Sequence, residues 1–313
     1  MRVLVTGAFG YVGRAVALRL LDSGHEVTAL TSGERSAADL DDRIHIVTAD
    51  LRDRDGIRGA IMNIDAVCHL AALIRVRESF ERPAEYRAVN TRGTVNLLEL
   101  LAEARRHRAG RPVRFVQGST AAVYGAPDQQ PIDEDAVPAP TSPYGESKLA
   151  ADLAVQSAAA AGTVAAISLR AFNVAGCVAG RADPDETRII PKTLLVAAGR
   201  HPHLTVNGDG SAVRDFVHVD DLARAYVLAL AACRDGEFRL YNVGATGASV
   251  REIVAAAESV TGRDVPVVHN PPQPEPPLLL ADTRRIRGEL GWKPERSSLE
   301  ELIGDTWAAL RAD

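Results

Sequence analysis

A short apolar strand followed at once by three regularly spaced glycines begins this chain of 313 residues. Residues 2–6 are rich in valine and leucine, and a helix-like apolar pattern starts directly after the glycines. Strand, glycine turn and helix is the arrangement that binds a dinucleotide pyrophosphate, because glycines admit close approach and the helix N-terminus presents free N–H groups. We therefore expect a dinucleotide cofactor against Gly7, Phe9, Gly10, Tyr11, Val12 and Gly13.

Strand-like and helix-like segments then alternate along the chain. Alternation of this kind predicts a parallel, doubly wound sheet with ligands at the carboxyl ends of its strands. The predicted fold class is therefore α/β, a Rossmann-type doubly wound parallel sheet with a smaller α/β substrate-binding lobe. The further predicted strands are 25–30, 44–48, 66–70, 113–117 and 165–169, and the main predicted helices are 86–108 and 144–161.

The domain boundaries follow from the end of this alternation near residue 170. We expect a dinucleotide-binding domain over 1–170, to which 214–244 returns through segments 216–230 and 240–244. The substrate-binding lobe is expected over 171–213 and 245–313.

The strand that follows the first helix bears on the choice of cofactor. An acid at its end would bind both ribose hydroxyls and mark NAD. The chain has Thr31, Ser32 and Arg35 there, which suit the 2′-phosphate of NADP unless Arg35 is merely a solvated loop charge. The residues leave NAD and NADP open at this point. Asp50 and Leu51 follow the next strand and are expected to hold adenine, and the other predicted cofactor contacts are Leu70, Ala71, Ala72, Asn90 and Gly118.

Tyr144 and Lys148 are four residues apart in a helix-like segment. Residues at this spacing share a helix face, and a nearby ammonium favours phenolate, so Tyr144 can act as a base. Thr120 offers a hydroxyl that orients a substrate alcohol or carbonyl. The alternative is that the tyrosine is half-buried packing and the lysine is solvated.

Bulk properties exclude several classes of function. The formal net charge of −5 argues against a nucleic-acid-binding surface. No apolar run approaches about 18 residues, so no membrane span is expected. The N-terminus lacks the layout of a secretion signal, and three scattered cysteines predict neither disulfides nor a metal site. We expect a cytoplasmic protein.

The ordered motifs identify a resemblance. Gly7, Gly10 and Gly13, then Asp50-Leu51, Thr120, Tyr144 and Lys148 resemble the extended short-chain dehydrogenase/reductases over nearly the whole chain, and within the NAD-dependent epimerase/dehydratase family they look most like the UDP-glucose (UDP-galactose) 4-epimerases. Further segments that carry the resemblance are 119–125, 172–176, 183–191, 213–223, 241–244 and 290–294.

This resemblance implies roles that residue types alone do not. NAD becomes the expected cofactor, with Lys148 on the nicotinamide ribose, Tyr144 as the base and Thr120 as its partner. A UDP- or other nucleotide-sugar substrate would contact Ser119, Thr120, Tyr144, Asn173, Ile190 and Arg214. An arginine suits a diphosphate through forked hydrogen bonds, although a salt bridge from Arg214 to neighbouring Asp215 is the alternative. The family's helix pairing implies a homodimer through 86–108 and 144–161, unless their apolar stripes only pack on the sheet.

Two alanines after Thr120 restrict the reaction. Dehydratases and decarboxylating relatives of this family carry carboxylates there, whereas this chain has Ala121 and Ala122. The resemblance implies that Tyr144 takes a proton from the C4 hydroxyl of the sugar while hydride passes to the nicotinamide, which gives a 4-keto intermediate. Without a carboxylate to eliminate water, this intermediate can only rotate and take hydride back on its other face, which is 4-epimerisation. The alternatives are an NADP-dependent 4-ketosugar or carbonyl reductase and, more distantly, a non-catalytic cofactor-sensing regulator.

The chain departs from the family pattern near its end. The family carries Arg-x-Gly-Asp before the pair that matches Ala281-Asp282, but segment 269–277 is proline-rich and has no arginine. Arg75, Arg77 or another cation replaces that charge, or the substrate differs from a UDP-hexose.

Overall fold

The computed structural model of the protein describes residues 1–106 and 112–312. The strands in these ranges are β1 Arg2–Thr6, β2 Glu26–Thr31, β3 His45–Thr48, β4 Ala66–His69, β5 Val113–Thr120, β6 Val164–Ala171, β7 Asn173–Ala175, β8 Cys177–Val178, β9 Arg181–Ala182, β10 Leu204–Asn207, β11 Val213–His218, β12 Phe238–Val243, β13 Thr246–Ser249, β14 Val267–Asn270 and β15 Leu278–Leu279. The α-helices there are α1 Tyr11–Asp22, α2 Val76–Glu81, α3 Pro83–Tyr86, α4 Gly93–Arg106, α5 Pro143–Ala160, α6 Ile189–Ala197, α7 Val219–Ala232, α8 Val250–Thr261, α9 Arg284–Leu290 and α10 Leu299–Ala312.

Two compact units divide the chain. The first unit comprises Met1–Gly125, Glu134–Arg170 and Ala223–Tyr241. The second unit comprises Ala126–Asp133, Ala171–Leu222 and Asn242–Asp313. Each unit therefore contains segments that are distant in the sequence.

A seven-stranded sheet organises the first unit, in the order β12-β6-β5-β4-β1-β2-β3. Strands β3, β2, β1, β4 and β5 pair in parallel along this order. The direction of winding reverses between β1 and β4, and such a reversal opens a crevice at the carboxyl ends of the strands. The predicted α/β doubly wound fold is confirmed.

Helices α4 and α5 cover the sheet and supply much of its core. Parallel strands are buried on both faces, which explains their continuous runs of branched apolar residues. Leu4 of β1 and Phe115 of β5 are both fully buried. They share one core cluster with α4 and α5, to which these helices contribute Leu97, Leu98, Leu100, Leu101, Val155 and Ala159.

Most predicted elements differ from the structure only at their ends. Strand β5 continues to Thr120, and the predicted helix 86–108 is built from the end of α3, a π-helical stretch at Arg87–Arg92 and α4. Residues 107–108 of that prediction lie outside the described residues. Of the segments predicted to return to the sheet, β12 does so, whereas β11 belongs to a different, four-stranded sheet.

The second unit holds this four-stranded sheet, in which β11 pairs with β13, β15 and β7. Buried Asp215 fastens β11 here, because its carboxylate accepts hydrogen bonds from the backbone N–H groups of Ala245 and Ala281. A second apolar cluster, separate from the core cluster of the first unit, has members from α6, α8 and α10 that include Leu194, Ile253 and Trp307.

Three further features concern membranes, metals and disulfides. Among the helices in the described ranges, none combines the length and apolarity needed to cross a bilayer. The same ranges contain no group of three or more His, Cys, Asp or Glu side chains arranged to hold a metal ion. Cys68, Cys177 and Cys233 are all free thiols.

Candidate active site

The glycine turn lies between β1 and α1 and is tightly folded. Gly7 has a φ of +71°, a left-handed conformation that favours glycine. A Cβ on Gly13 would lie 2.0 Å from the carbonyl oxygen of Gly7. Gly10 caps α1 without a side-chain hydrogen bond, and the first turn of α1 contains no acid. Phe9, Tyr11 and Val12 are partly buried around this turn, which leaves a backbone cradle suited to an anion.

Three buried polar side chains, those of Thr6, His69 and Thr94, are hydrogen-bonded to one another next to the glycine turn. The His69 ring lies between two hydroxyls, with Nδ1 2.8 Å from Thr6 Oγ1 and Nε2 2.9 Å from Thr94 Oγ1. Burial, aided by the charge of Lys148, lowers the pKa of His69 to about 3, so the ring is neutral. Thr6 Oγ1 also accepts hydrogen bonds from the backbone N–H groups of Leu70 and Ala71. The triad thus ties the exit of β4 to that of β1.

The residues considered for the choice between NAD and NADP follow the end of β2. Thr31 is half-buried and its hydroxyl donates to the carbonyl of Gly33, at 3.3 Å, while Ser32 is exposed. The Arg35 guanidinium lies 5.9 Å from the centre of the Phe9 ring. Arg35 is exposed to solvent, with its guanidinium close to this ring of the glycine turn.

Asp50 and Leu51 follow β3 as expected. The Asp50 carboxylate pairs with the Arg52 guanidinium at 2.6 Å, and this hydrogen-bonded pairing lowers the pKa of Asp50. Asp50 remains ionised and partly exposed, so it retains the capacity to accept a further hydrogen bond. Leu51 is buried, and Asn96 of α4 donates to its carbonyl at 2.9 Å.

Asn90 is buried and hydrogen-bonded to groups of the protein. Its side chain both accepts from the Leu73 N–H and donates to the Leu73 carbonyl, and it also donates to Ser147 Oγ at 2.9 Å. Asn90 therefore holds the segment after β4, where partly buried Ala71 and Ala72 lie. Gly118 is close-packed there too, since an added Cβ would meet the Tyr226 hydroxyl at 2.7 Å.

Thr120 and Tyr144 lie in neighbouring elements. Thr120 ends β5, and its hydroxyl accepts from the Ala122 N–H at 3.2 Å. Helix α5 begins beside this turn, because a Cβ on Gly145 would come within 2.6 Å of the Ala122 carbonyl oxygen. Ser142 caps α5 by accepting from the Gly145 N–H, and Tyr144 lies in its first turn with only 9% of its surface exposed.

Lys148 is buried, which excludes the solvated alternative considered above. Its side chain lies one helical turn after Tyr144 and is 4% exposed. Burial lowers the pKa of Lys148 to about 8, although the nearby Asp152 carboxylate opposes this shift. Lys148 is therefore mostly protonated at neutral pH and poised to lose its proton just above it.

Asp152 is a site residue that the sequence pattern did not reveal. Its buried carboxylate accepts from Ser119 Oγ at 2.8 Å, Ser168 Oγ at 2.7 Å and Arg170 Nε at 3.2 Å. The Arg170 guanidinium also lies 4.7 Å from the centre of the Tyr124 ring. The hydroxyl of Ser119, a residue expected to contact substrate, thus donates a hydrogen bond that links β5 to α5. An acid four residues after Lys148, among alanines, was the available signal.

The second unit carries the remaining predicted substrate contacts. Asn173 begins β7, and its amide donates to the Asp215 carbonyl at 2.8 Å. Ile190 is buried in the first turn of α6. No described side chain caps the N-terminus of α6, so the backbone N–H groups of Ile189 and Ile190 have no side-chain cap, while Pro191 has no N–H to offer.

Arg214 of β11 has a partner that the sequence did not indicate. Its Nη2 donates to Glu275 Oε2 at 2.8 Å, and Nη1 donates to the Val213 carbonyl at 2.9 Å. The neighbouring carboxylate of Asp215 is instead taken up by backbone N–H groups. Glu275 lies in the proline-rich segment 269–277.

Comparison with known proteins agrees with this arrangement. The profile of the NAD dependent epimerase/dehydratase family matches residues 3–244. UDP-glucose 4-epimerases of Corynebacterium glutamicum and Streptomyces lividans are 40% and 38% identical, each aligned over 98% of this chain and 95% of the relative.

Solved structures show the same likeness. A UDP-glucose 4-epimerase from Stenotrophomonas maltophila, crystallised with NAD and formylated UDP-arabinopyranose, superposes with a TM-score of 0.91 at 34% identity, covering 100% of this chain and 98% of that one. The enzyme from Bifidobacterium longum with NAD⁺ and UDP gives 0.88 at 28% identity, covering 100% and 99%. This chain belongs to the NAD dependent epimerase/dehydratase family.

Proposed function

We propose that this protein is a nucleotide-sugar 4-epimerase that uses tightly held NAD and acts on UDP-glucose and UDP-galactose or a close UDP-sugar. The observation that carries the proposal is the buried Tyr144–Lys148 pair beside a Thr120 turn whose next residues are alanines. The relatives that bear the name UDP-glucose 4-epimerase support it over nearly the full length.

The residues of the first unit fit NAD. The backbone of Gly7, Gly10 and Gly13 leaves a cradle that a Cβ at Gly13 would fill, which suits a pyrophosphate. Asp50 and Leu51 would hold adenine, Thr31, Ser32 and Arg35 would lie at its ribose, and Lys148 would hold the nicotinamide ribose. When bound, NAD supplies the hydride acceptor and donor for C4 of the sugar.

Proton transfer falls to Tyr144. Its phenolate, favoured by the adjacent Lys148 ammonium, takes the proton of the C4 hydroxyl, while the Thr120 hydroxyl orients that oxygen. The proton returns to the same oxygen when C4 is reduced on its other face. Ala121 and Ala122 offer no acid or base to eliminate water, so the sugar leaves with only its C4 configuration changed.

Substrate recognition is assigned mainly to the second unit. The Arg214 guanidinium and the uncapped N-terminus of α6 at Ile190 are suited to the diphosphate. Asn173 would contact the phosphates or the sugar. Ser119 contributes indirectly, because its hydroxyl is bound to Asp152.

Product analysis tests this proposal. We expect purified protein to convert UDP-galactose to UDP-glucose and the reverse, reaching the same ratio from either side, with no net change in absorbance at about 340 nm. Proton NMR of the anomeric signals follows both sugars. Steady consumption of NADPH with a ketone would instead identify a reductase, and mass spectrometry of the released dinucleotide tells NAD from NADP.

Replacing Asp152 with asparagine is expected to move the alkaline limb of the pH–rate profile to lower pH. Catalysis requires protonated Lys148, whose pKa of about 8 is held up by the Asp152 charge. The wild-type rate should therefore fall as pH rises through about 8, and the variant should fall earlier. Full pH profiles of kcat and kcat/KM for both proteins measure this.

The Asp152→Asn variant is also expected to be less stable than the wild type, and this effect is measured separately from the pH–rate profile. Removing one partner of a buried charge cluster costs about 3–5 kcal/mol, so urea unfolding should also show a loss. The lowered pKa of Lys148 means that the folded protein binds fewer protons than the unfolded chain between pH 8 and 10.5, and this group therefore favours folding more as pH rises through that window. An unshifted alkaline limb in folded D152N would contradict the catalytic role.

We also propose a cytoplasmic homodimer formed through α4 and α5. Leu153 of α5 is 54% exposed, an apolar side chain on an outer helix face that a second copy would cover. The free thiols of Cys68, Cys177 and Cys233 fit a reducing compartment. Leu153→Glu should convert the dimer to a monomer in light scattering, and an unchanged mass would count against this interface.

A further inference from the structure

The proline-rich segment before β15 contains Glu275, whose carboxylate is hydrogen-bonded to Arg214. Arg214 is the arginine that the proposed function assigns to the diphosphate of the substrate. Glu275 Oε2 lies 2.8 Å from Arg214 Nη2. The segment is fastened close to this pair, because the Val213 N–H donates to the Pro277 carbonyl at 2.9 Å and β15 continues from there alongside β11. Pro274 and Pro276 flank Glu275, and proline restricts the backbone conformations that the segment can adopt.

We propose that Glu275 is an internal competitor for the diphosphate, a carboxylate that occupies Arg214 in the free enzyme and that substrate must displace. This inference rests on the proposed function, since it assigns Arg214 to the substrate's diphosphate. Both ligands are anions that accept hydrogen bonds from the same guanidinium. Glu275 thereby lowers the affinity of the site for nucleotide diphosphates.

The exposure of the pair shows that displacement is feasible. The Arg214 side chain is 22% exposed and that of Glu275 is 43% exposed. A half-exposed ion pair is weak, whereas a diphosphate carries more charge and more acceptor oxygens. Asp215 does not take part in this competition, because its carboxylate is buried and bound to Ala245 and Ala281.

Competition of this kind has a simple quantitative consequence. The apparent dissociation constant of UDP is its intrinsic value divided by the fraction of molecules in which Arg214 is free. Breaking the pair raises that fraction to one. We expect Glu275→Gln to tighten UDP binding and lower KM for UDP-sugar by about 1.4- to 5-fold, the range expected for an exposed ion pair, with kcat unchanged.

Titration calorimetry of UDP and of uridine into the NAD-loaded enzyme is the test. Uridine lacks phosphate and does not compete for Arg214, so its affinity should be the same in wild type and E275Q. Glu300→Gln removes the same charge from an exposed position on α10 and should change neither ligand's affinity. Thermal melting establishes that each variant is folded.

A double-mutant cycle shows whether Glu275 acts through Arg214. In an Arg214→Gln background, Glu275→Gln should no longer affect UDP affinity. Unchanged or weaker UDP binding in folded E275Q would overturn the proposal, because Glu275 would then be neutral or would orient Arg214. Failure of the proposed function is seen separately, as tighter UDP binding in E275Q without any C4 epimer formed by the wild type.

Discussion

Tyr144→Phe is expected to lower kcat for epimerisation by about 10²–10⁴-fold, the contribution typical of a positioned general acid–base group. The substitution removes only the hydroxyl that exchanges a proton with the C4 oxygen. The ring keeps its edge-on contact with Tyr86, at 6.3 Å between ring centres, so the start of α5 should stay in place. NAD content should remain that of the wild type.

Tyr86→Phe is the matched control for this experiment. Tyr86 is also a buried tyrosine, but its hydroxyl binds the backbone of Arg75, donating to the carbonyl at 2.7 Å and accepting from the N–H at 3.0 Å. Its loss should cost stability, about 1–2 kcal/mol, and change kcat at most severalfold. Equal losses of kcat in the two variants would contradict the assignment of Tyr144 as the base, as would Tyr144→Phe with near wild-type turnover.

Local sequence patterns predicted the framework of the first unit well. Apolar runs such as Arg2–Thr6 are strands because a parallel sheet buries both faces, and glycine spacing at Gly7, Gly10 and Gly13 reports a backbone requirement that is visible without long-range information. The pairing of β11 was not accessible in this way, since its partners are β7, β13 and β15 of the second unit.

Electrostatic partners were the part of the site that sequence reasoning could not supply. Tyr144 and Lys148 follow from helical spacing alone, but the burial of Lys148 depends on packing. The partners of Asp152 come from β5 and β6, 33 and 16 residues away for Ser119 and Ser168. Arg214 illustrates the same limit, because neighbouring Asp215 was the obvious acid and Glu275, 61 residues away, is the actual one.

Gly13→Ala is expected to abolish stable NAD binding and to destabilise the first unit by about 3 kcal/mol or more. The new Cβ would lie 2.0 Å from the Gly7 carbonyl oxygen and 2.7 Å from its carbonyl carbon. Both are backbone atoms of the turn itself, so no side-chain rotation relieves the overlap. Chemical denaturation without added cofactor and mass spectrometry of the bound dinucleotide measure the two effects.

Two other glycines serve as controls for this prediction, because an added Cβ would have more space at each of them than at Gly13. Gly59 has no atom within 4 Å of an added Cβ, whereas at Gly10 the nearest atom, the Gly7 carbonyl oxygen, lies at 3.2 Å. Gly59→Ala should therefore be neutral or slightly stabilising, and Gly10→Ala should be intermediate in both stability and NAD content. A Gly13→Ala protein that matches Gly59→Ala in both measurements would contradict the tight cradle.

Gly13→Ala and Tyr144→Phe are expected to reduce activity for different reasons. Comparing them tests whether the glycine turn binds NAD while Tyr144 transfers the proton. Gly13→Ala should lose epimerase activity in proportion to the NAD it has lost, because Tyr144, Lys148 and Thr120 are untouched. Tyr144→Phe should lose activity with its NAD in place. Supplying excess NAD should therefore partly restore turnover in the glycine variant and leave the tyrosine variant unchanged, since mass action offsets weaker binding but not a missing proton carrier.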